Sequence, residues 1–163
     1  MYKRGELVEQ TFFLAMANKY KDTVYRIALN YYGNPYDAED TVQEVFIKLY
    51  TCNKQFESHE HIRNWLIRVT INMCKNTMRM PWRNRTIDFD DLAESVTFEH
   101  HEQSELFLSV MSLPEKYRTV LYLFYYEEFS VKEISKMLKL KESAVTTRLS
   151  RARNQLKLDL TEV

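Results

Sequence analysis

The sequence is poor in residues that interrupt helices. Its 163 residues include only 2 Gly and 3 Pro, while 45% are hydrophobic and 28% are charged. This composition is typical of a helix-rich globular protein with enough length for one large or two small cores. Two glycines are also very few for the phosphate-cradling loops of nucleotide-binding enzymes.

Cysteine is scarce, and long apolar runs are missing. Cys52 and Cys74 are too few for a disulfide framework and suit a reducing cytoplasm. The sequence shows no signal peptide, and no window approaches the roughly 20 apolar residues of a membrane span. We therefore expect a soluble, cytoplasmic protein.

Metal ligands could come from two small groups of residues. One comprises Cys52, His59 and His61, and the other is the pair His100 and His101. Neither spacing resembles that of a closed structural zinc site. The sequence therefore predicts no metal and no other cofactor.

The formal net charge is zero, but the charges are segregated along the chain. Residues 61–85 contain six Lys/Arg and no Asp/Glu, whereas residues 88–105 contain seven Asp/Glu and no Lys/Arg. Residues 130–157 contain eight Lys/Arg against two Glu. Local field rather than net charge decides what a surface attracts, so nucleic acid is not excluded as a partner.

Apolar spacing predicts helices along most of the chain. The first is stopped by Gly33-Asn34-Pro35, and the second is capped by Asp37. The third runs from about Ile62 to Met80 and is ended by Pro81. The predicted fold is all-α, with two small helical domains joined by an acidic linker. Their limits are residues 1–81 for the first domain, 82–103 for the linker and 104–163 for the second domain.

Residues 130–155 have the pattern of two short amphipathic helices broken by a tight turn. Ser130 and Glu133 have the spacing of a capping box at the start of the first helix. In the second helix, an apolar stripe lies opposite a small, polar and arginine-bearing face: Ser143, Thr147, Ser150, Arg151 and Asn154. This is what a major-groove recognition helix needs, although a solvated helical hairpin is the simpler alternative.

The second predicted helix has an apolar residue on its polar side. Asp40, Gln43 and Glu44 lie away from the core face, and Ile47 lies almost directly opposite it. An apolar group ringed by polar ones has the composition of a binding patch. Ordinary solvated surface is the alternative, since one exposed Ile is common.

The third predicted helix is apolar around most of its circumference. Its remaining polar stripe is Asn64, Arg68, Asn72, Lys75 and Arg79. Amides and cations without an acid suit phosphates and base edges. The alternative is that the stripe is only the solvent-exposed side of a mostly buried helix, but such a side would be expected to carry both acidic and basic residues. Phe56 and Trp82 lie nearby in sequence and are candidates for stacking an unpaired base, whereas Trp65 is expected in the core.

These segments, taken in order, resemble bacterial RNA polymerase sigma factors. The runs YGNPYDAEDTVQEVFIKLY and HIRNWLIRVTINMCKN resemble their promoter-melting domain. The run LPEKYRTVLYLFYYEEFSVKEISKMLKLKESAVTTRLSRARNQLK is similar to their C-terminal helix-turn-helix domain. The presence of only these two domains, with a short linker, points to the extracytoplasmic-function class.

The resemblance implies roles for three sets of residues. The docking set, which together with Ile47 would bind the coiled coil of the polymerase's largest subunit, is Asp37, Asp40, Gln43 and Glu44. The minus-ten set, which would take a flipped base and hold the melted strand, is Phe56, Asn64, Arg68, Asn72, Lys75 and Arg79. The minus-thirty-five set, which would read the upstream element, is Ser143, Thr146, Thr147, Arg148, Ser150 and Arg151.

The family resemblance also implies partners and an activity. The partners are core RNA polymerase, promoter DNA and an anti-sigma factor, which in this family is commonly membrane-anchored. We therefore expect a sigma subunit that is not an enzyme and has no small-molecule substrate. A stand-alone helix-turn-helix regulator would use only the C-terminal domain, and nothing in the sequence supports a small helical enzyme.

The helix-turn-helix departs from the family pattern at several positions. Lys139 stands where a Gly is usual in the turn, and Lys141 stands where the second helix commonly has a Ser or Thr cap. Ser135 replaces a preferred Ala, and Thr146 occupies a position that is often basic. The resemblance implies that the connector from Gln55 to Ile62 forms the pocket for the flipped base. His59 and His61, in this connector, are not general family features either.

Overall fold

The computed structural model describes the backbone of residues 6–81, 89–95 and 101–161, and the side chains of residues 10–81, 90–94 and 105–157. All regular secondary structure in these ranges is helical, which confirms the all-α prediction. The helices are α1 (Glu6–Tyr32), α2 (Pro35–Thr51), α3 (His59–Met78), α4 (Phe89–Ser95), α5 (His101–Ser112), α6 (Glu115–Leu121), α7 (Val131–Leu138) and α8 (Glu142–Thr161), with a π-helical turn at Tyr122–Tyr126 after α6.

The chain divides into two compact units, of which the first comprises residues 1–32 and 36–85 and the second comprises residues 86–163 with the short segment 33–35. Helices α1 to α3 belong to the first unit, and α4 to α8 belong to the second. The acidic stretch predicted as a linker contains α4, in which Leu92 is fully buried. A helix of seven residues is too short to show sustained periodicity, so the sequence pattern did not indicate it.

An apolar cluster packs the helices of the first unit together. Its buried members come from α1, α2, the connector after α2, and α3: Met16, Tyr20, Val24, Val45, Phe46, Leu49, Phe56, Ile62 and Leu66. Their helical spacing places each set on one face of its helix. Gly33 ends α1 at a φ of 62°, a conformation that glycine adopts without steric cost.

Two predicted helix starts need correction. Asp37 does not cap α2, because the helix already begins at Pro35 and Asp37 lies in its first turn. Proline suits a first position, where its missing N–H would have no intrahelical partner. Helix α3 begins at His59 rather than near Ile62, because the Ser58 hydroxyl accepts a hydrogen bond from the His61 N–H at 3.0 Å.

A buried arginine joins α5 to α6 in the second unit. The Arg118 side chain, only 4% exposed, donates from Nη1 to the carbonyls of Met111 at 3.1 Å and Leu113 at 2.8 Å. It thereby satisfies carbonyl groups at the end of α5. Burial lowers the pKa of Arg118, and the nearby Glu115 carboxylate opposes that shift. The guanidinium therefore holds α5 to α6.

The predicted capping box at the start of α7 is confirmed. Ser130 Oγ accepts from the Glu133 N–H at 3.2 Å, and Glu133 Oε2 accepts from the Ser130 N–H at 2.8 Å. Lys139 follows the helix in the left-handed conformation, with φ of 55° and ψ of 47°. The backbone therefore keeps the glycine-like turn although the sequence has lysine there.

We expect Lys139→Gly to raise the free energy of opening of α7 and α8 by about 0.5–1 kcal/mol. Glycine removes the steric cost of the left-handed conformation, and greater freedom of the unfolded chain offsets part of the gain. Hydrogen exchange of the α7 and α8 amides in the full chain measures this unit separately. Lys139→Ala loses the same charge but keeps Cβ, so an equal gain in both variants would contradict the backbone explanation.

Candidate nucleic-acid interface and docking face

The outer side of α2 presents an apolar residue among polar ones, as predicted. Ile47 is 61% exposed, and Asp40, Gln43 and Glu44 are all exposed. Asp37 is half-buried in the first turn. Ile47 and three members of the docking set therefore share an open surface, and the fourth member, Asp37, lies at its edge.

Two tyrosines that the sequence analysis did not select lie on the same side of α2. Tyr36 is 70% exposed and Tyr50 is 51% exposed. Together with Gln43 and Ile47 they repeat every three, four or seven residues, which places them along one line of the helix. That spacing was the available signal. Exposed aromatic and aliphatic groups with a polar rim are the composition of a protein-binding surface.

Helix α3 exposes the narrow polar stripe that its sequence predicts. Arg68, Asn72 and Arg79 are exposed, while Asn64 and Lys75 are half-buried. Asn64 Oδ1 is buried and accepts no hydrogen bond from any described residue. The sequence from residue 61 to residue 79 contains no carboxylate, so cations and amides dominate this face of the helix.

The prediction that Phe56 offers its ring for stacking is wrong in this conformation. Phe56 is only 4% exposed, and its ring meets those of Trp65 and His61 edge-on, with centroids 5.5 Å and 5.4 Å away. The connector turns this ring inward because it closes the apolar cluster between α2 and α3. Trp82, the other candidate, lies outside the described residues.

Trp65 is the aromatic residue that lies beside the stripe. The sequence predicts Trp65 in the core, but the structure shows its side chain half-buried. It precedes Asn72 by seven residues, so two helical turns bring both onto nearly the same line of α3. The apolar periodicity of α3 concealed this, because Trp65 also packs against the core cluster.

The two histidines near the start of α3 make local polar contacts. Lys19 Nζ donates to His59 Nδ1 at 3.0 Å, and the Glu57 N–H donates to His61 Nδ1 at 3.3 Å. Within the described side chains, no group of three His, Cys, Asp or Glu residues is placed to hold a metal ion. The pair of histidines at positions 100 and 101 lies outside those side chains.

Helix α8 buries one stripe and exposes the predicted reading face. Val145, Leu149 and Ala152 are buried. Five members of the minus-thirty-five set are exposed, namely Ser143, Thr146, Thr147, Ser150 and Arg151, and Arg148 is half-buried at the flank. The polar face is therefore continuous along the first three turns of the helix.

Helix α6 extends this face, which the sequence analysis did not anticipate. A groove of about 300 Å³ lies between the two helices and is lined by Lys116, Tyr117, Ser143, Ala144, Thr147, Arg148 and Arg151. Lys116 Nζ lies 5.1 Å from the centroid of the Tyr117 ring, within the range of a cation–π contact. Three cations and no carboxylate line the groove. Only the tertiary packing of α6 on α8 could have indicated it.

Arg153 lies apart from the reading face. Its Nε donates to the Tyr125 hydroxyl at 2.6 Å, and its guanidinium lies over the rings of Phe124 and Tyr125 at 5.6 Å and 5.4 Å. These contacts bind α8 to the π-helical turn. Both arginines are exposed, but Arg153 has a packing role, whereas Arg151 lines the groove beside α6.

The length and apolar character of the described helices can be compared with those of a membrane span. None of them combines the length and apolar character that crossing a membrane requires.

Comparison with known proteins identifies the family. Residues 16–84 match the model of sigma-70 region 2, and residues 105–156 match that of sigma-70 region 4. The chain is 33% identical over 147 residues to the ECF RNA polymerase sigma factor SigM of Bacillus subtilis, covering 85% of this chain and 88% of that protein. It is 27% identical over 178 residues to SigW of the same organism, covering 99% and 94%.

The fold has a match among solved structures. The sigma factor RpoE of Bartonella quintana, in complex with the anti-sigma factor NepR, superposes with a TM-score of 0.67 at 20% identity, covering 93% of this chain and 96% of that one. The two-unit helical fold is therefore that of a sigma factor. The chain belongs to the sigma-70 family as an alternative sigma factor of the extracytoplasmic-function class, which serves transcription initiation.

Proposed function

We propose that this sigma factor divides promoter opening among three of its surfaces. The outer side of α2 docks on the coiled coil of the polymerase's largest subunit, the stripe of α3 captures the melted minus-ten strand, and α8 reads the minus-thirty-five element. The observation that carries the proposal is the acid-free stripe on α3, which a regulator that only binds duplex operators would not need. The polymerase performs the chemistry, in the cytoplasm.

Docking depends on the exposed apolar residues of α2. Tyr36, Ile47 and Tyr50 supply apolar area, while Asp40 and Glu44 supply a charged rim. Burial of apolar groups gives affinity, and charges at the rim select the partner and its orientation. Ile47 lies at the centre of this surface and is therefore the best single residue to test.

We expect Ile47→Glu to weaken binding to purified core polymerase at least tenfold, or about 1.4 kcal/mol. The substitution places a charge where the partner must bury an apolar group, and because residue 47 is exposed, thermal stability should change little. Competition of labelled full-length protein for core polymerase measures the affinity. Ile47→Leu keeps the apolar area and serves as the control, and native affinity of the Glu variant would contradict docking through this face.

Strand opening follows from differential binding. A pocket that holds extruded bases favours the open strand over the duplex, so it shifts the equilibrium towards melting. Asn72 is exposed and offers both a donor and an acceptor for a base edge. Trp65 lies beside it as a partly exposed ring, and Arg68 and Arg79 extend the cationic line for the strand's phosphates.

We expect Asn72→Ala to impair run-off transcription from duplex promoters by purified core polymerase, with much less loss on templates that carry a pre-melted bubble. The bubble supplies the unpairing that the asparagine would otherwise favour. If the wild-type protein itself fails to support initiation while still binding duplex DNA, the stand-alone regulator becomes the better description. Equal defects of Asn72→Ala on both templates would show that Asn72 does not act in the melting step.

Phe56→Ala provides a contrasting variant for the same assay. Because its ring is buried in the core cluster, truncation should lower the free energy of unfolding by about 3–5 kcal/mol. Asn72→Ala should leave stability unchanged. Thermal unfolding of both variants therefore separates loss of the fold from loss of strand capture.

The basic groove beside α8 extends the upstream contact to the DNA backbone. Arg151 is exposed, and arginine is the commonest reader of guanine in the major groove. Arg148 and Lys116 lie at the flank, where a recognition helix meets phosphates. Phosphate contacts fix the register of the helix and carry no sequence information themselves.

We expect Lys116→Ala to weaken binding of the holoenzyme to all upstream duplexes about equally and to lower the salt slope by about one, because one phosphate contact is lost. Affinities measured across a series of salt concentrations give the slope. Lys21→Ala removes the same charge from an exposed position on α1 and is the control. An unchanged slope in the Lys116 variant would exclude a phosphate contact there.

Regulation by sequestration completes the proposal. The Bartonella quintana RpoE structure contains an anti-sigma factor, NepR. This supports an anti-sigma factor as a partner of the present chain. Membrane anchoring of that partner rests only on what is common in the family. Such a partner would compete with the polymerase for the same sigma factor.

A further inference from the structure

Among the described side chains of α8, the exposed Thr146 and Thr147 donate their hydroxyl protons to carbonyls within the helix. Thr147 Oγ1 donates to the Ser143 carbonyl at 2.8 Å, and Thr146 Oγ1 donates to the Glu142 carbonyl at 3.0 Å. A hydroxyl has a single proton to donate. Each threonine therefore presents to the outside only an acceptor oxygen and a γ-methyl group.

This restricts what either threonine can read in a major groove. Guanine offers the acceptors N7 and O6 there, so a threonine without a free donor gains nothing from it. An A·T pair offers the C5-methyl group of thymine, which an apolar contact can recognise. The remaining acceptor oxygen does not separate the two pairs, because adenine N6 and cytosine N4 both offer it a donor. A preference for A·T over G·C opposite these residues therefore rests on the γ-methyl group.

The position of Thr147 distinguishes it from Thr146. Thr147 lines the groove together with Arg148 and Arg151, whereas Thr146 is rotated by about 100° towards the other flank of α8. Arg151 follows Thr147 by four residues, so the two lie on the same side, about 6 Å apart along the axis. With base pairs spaced about 3.4 Å apart, they would reach pairs within one or two steps of each other.

We propose that Thr147 is a specificity-determining residue that reads an A·T pair through contact of its γ-methyl group with the thymine methyl. The pair lies one or two steps from the guanine contacted by Arg151. This inference rests on the proposed placement of α8 in the major groove of the minus-thirty-five element. It adds the chemical identity of one base pair and the group that recognises it.

The test uses holoenzyme assembled from core polymerase and the full chain. A duplex is first selected from a random library, and each thymine of its upstream element is then replaced singly by uracil, which lacks only the methyl group. The wild-type protein should prefer thymine at one position by roughly fourfold, as burial of one methyl-sized group gives. Thr147→Val, which keeps the methyl, should retain this preference, and Thr147→Ser, which loses it, should not.

A matched control lies on α2. Thr51 is also exposed, and its hydroxyl donates to the carbonyl four residues earlier, Ile47, at 2.9 Å. Thr51→Ser therefore makes the same chemical change outside the predicted DNA-binding helix and should leave the thymine preference intact. Melting curves of all variants exclude effects of unfolding.

The remaining outcomes overturn the inference in distinguishable ways. If Thr147→Ser keeps the thymine preference, another residue contacts the thymine methyl, and Thr147 is not its reader. If wild-type holoenzyme shows no thymine-over-uracil preference, but a guanine preference that disappears in Arg151→Ala, the methyl contact is wrong while the reading of DNA by α8 stands. If the holoenzyme selects no upstream motif, the proposed function of α8 fails together with the inference.

Discussion

The burial of α3 is the constraint on which the first unit depends. Ile62 and Leu66 lie in the core cluster, and Ile67 and Ile71 are buried on another side of the same helix. Because two sides of α3 are buried, only a narrow part of its surface is exposed to solvent. Every exposed position on it therefore carries a large share of the surface chemistry. That is why we propose these five positions without a carboxylate as a binding surface, whereas on a loosely packed helix the same residues would be diluted by others.

A comparable constraint shapes the second unit through the contacts of α8. One side of the helix is closed by its buried stripe, and another is tied to the π-helical turn by Arg153. The side that remains faces the groove beside Lys116. Two arginines separated by one residue thus differ in role, because Arg151 faces outward while Arg153 is engaged by Tyr125. Residue type alone therefore does not distinguish the arginine that we propose as a reader of DNA from the arginine that packs.

The sequence predicted elements whose signals are local. Helical periods, the capping box at Ser130, and the exposure of Ile47 depend on spacing within one helix, and the structure agrees with them. The placement of Phe56 could not be predicted in this way, since a connector residue turns inward or outward according to the gap that two helices leave. The presence of Lys116 in the groove beside α8 could not be predicted either, because α6 meets α8 only through tertiary packing. Tertiary packing also explains why Trp65, rather than Phe56, is the partly exposed ring beside the stripe of α3.

The departures of the helix-turn-helix from the family pattern act on stability and on specificity separately. Lys139 keeps the left-handed turn at an energetic cost, so the path of the backbone, and with it the position of α8, is preserved. Thr146, at a position that is often basic, removes one cation from the helix without changing its buried stripe. Fewer fixed charges leave less affinity from phosphates and give relatively more weight to contacts with base edges. A helix with this composition depends on the chemistry of individual side chains, and the internal hydrogen bonds of its threonines become part of what it can recognise.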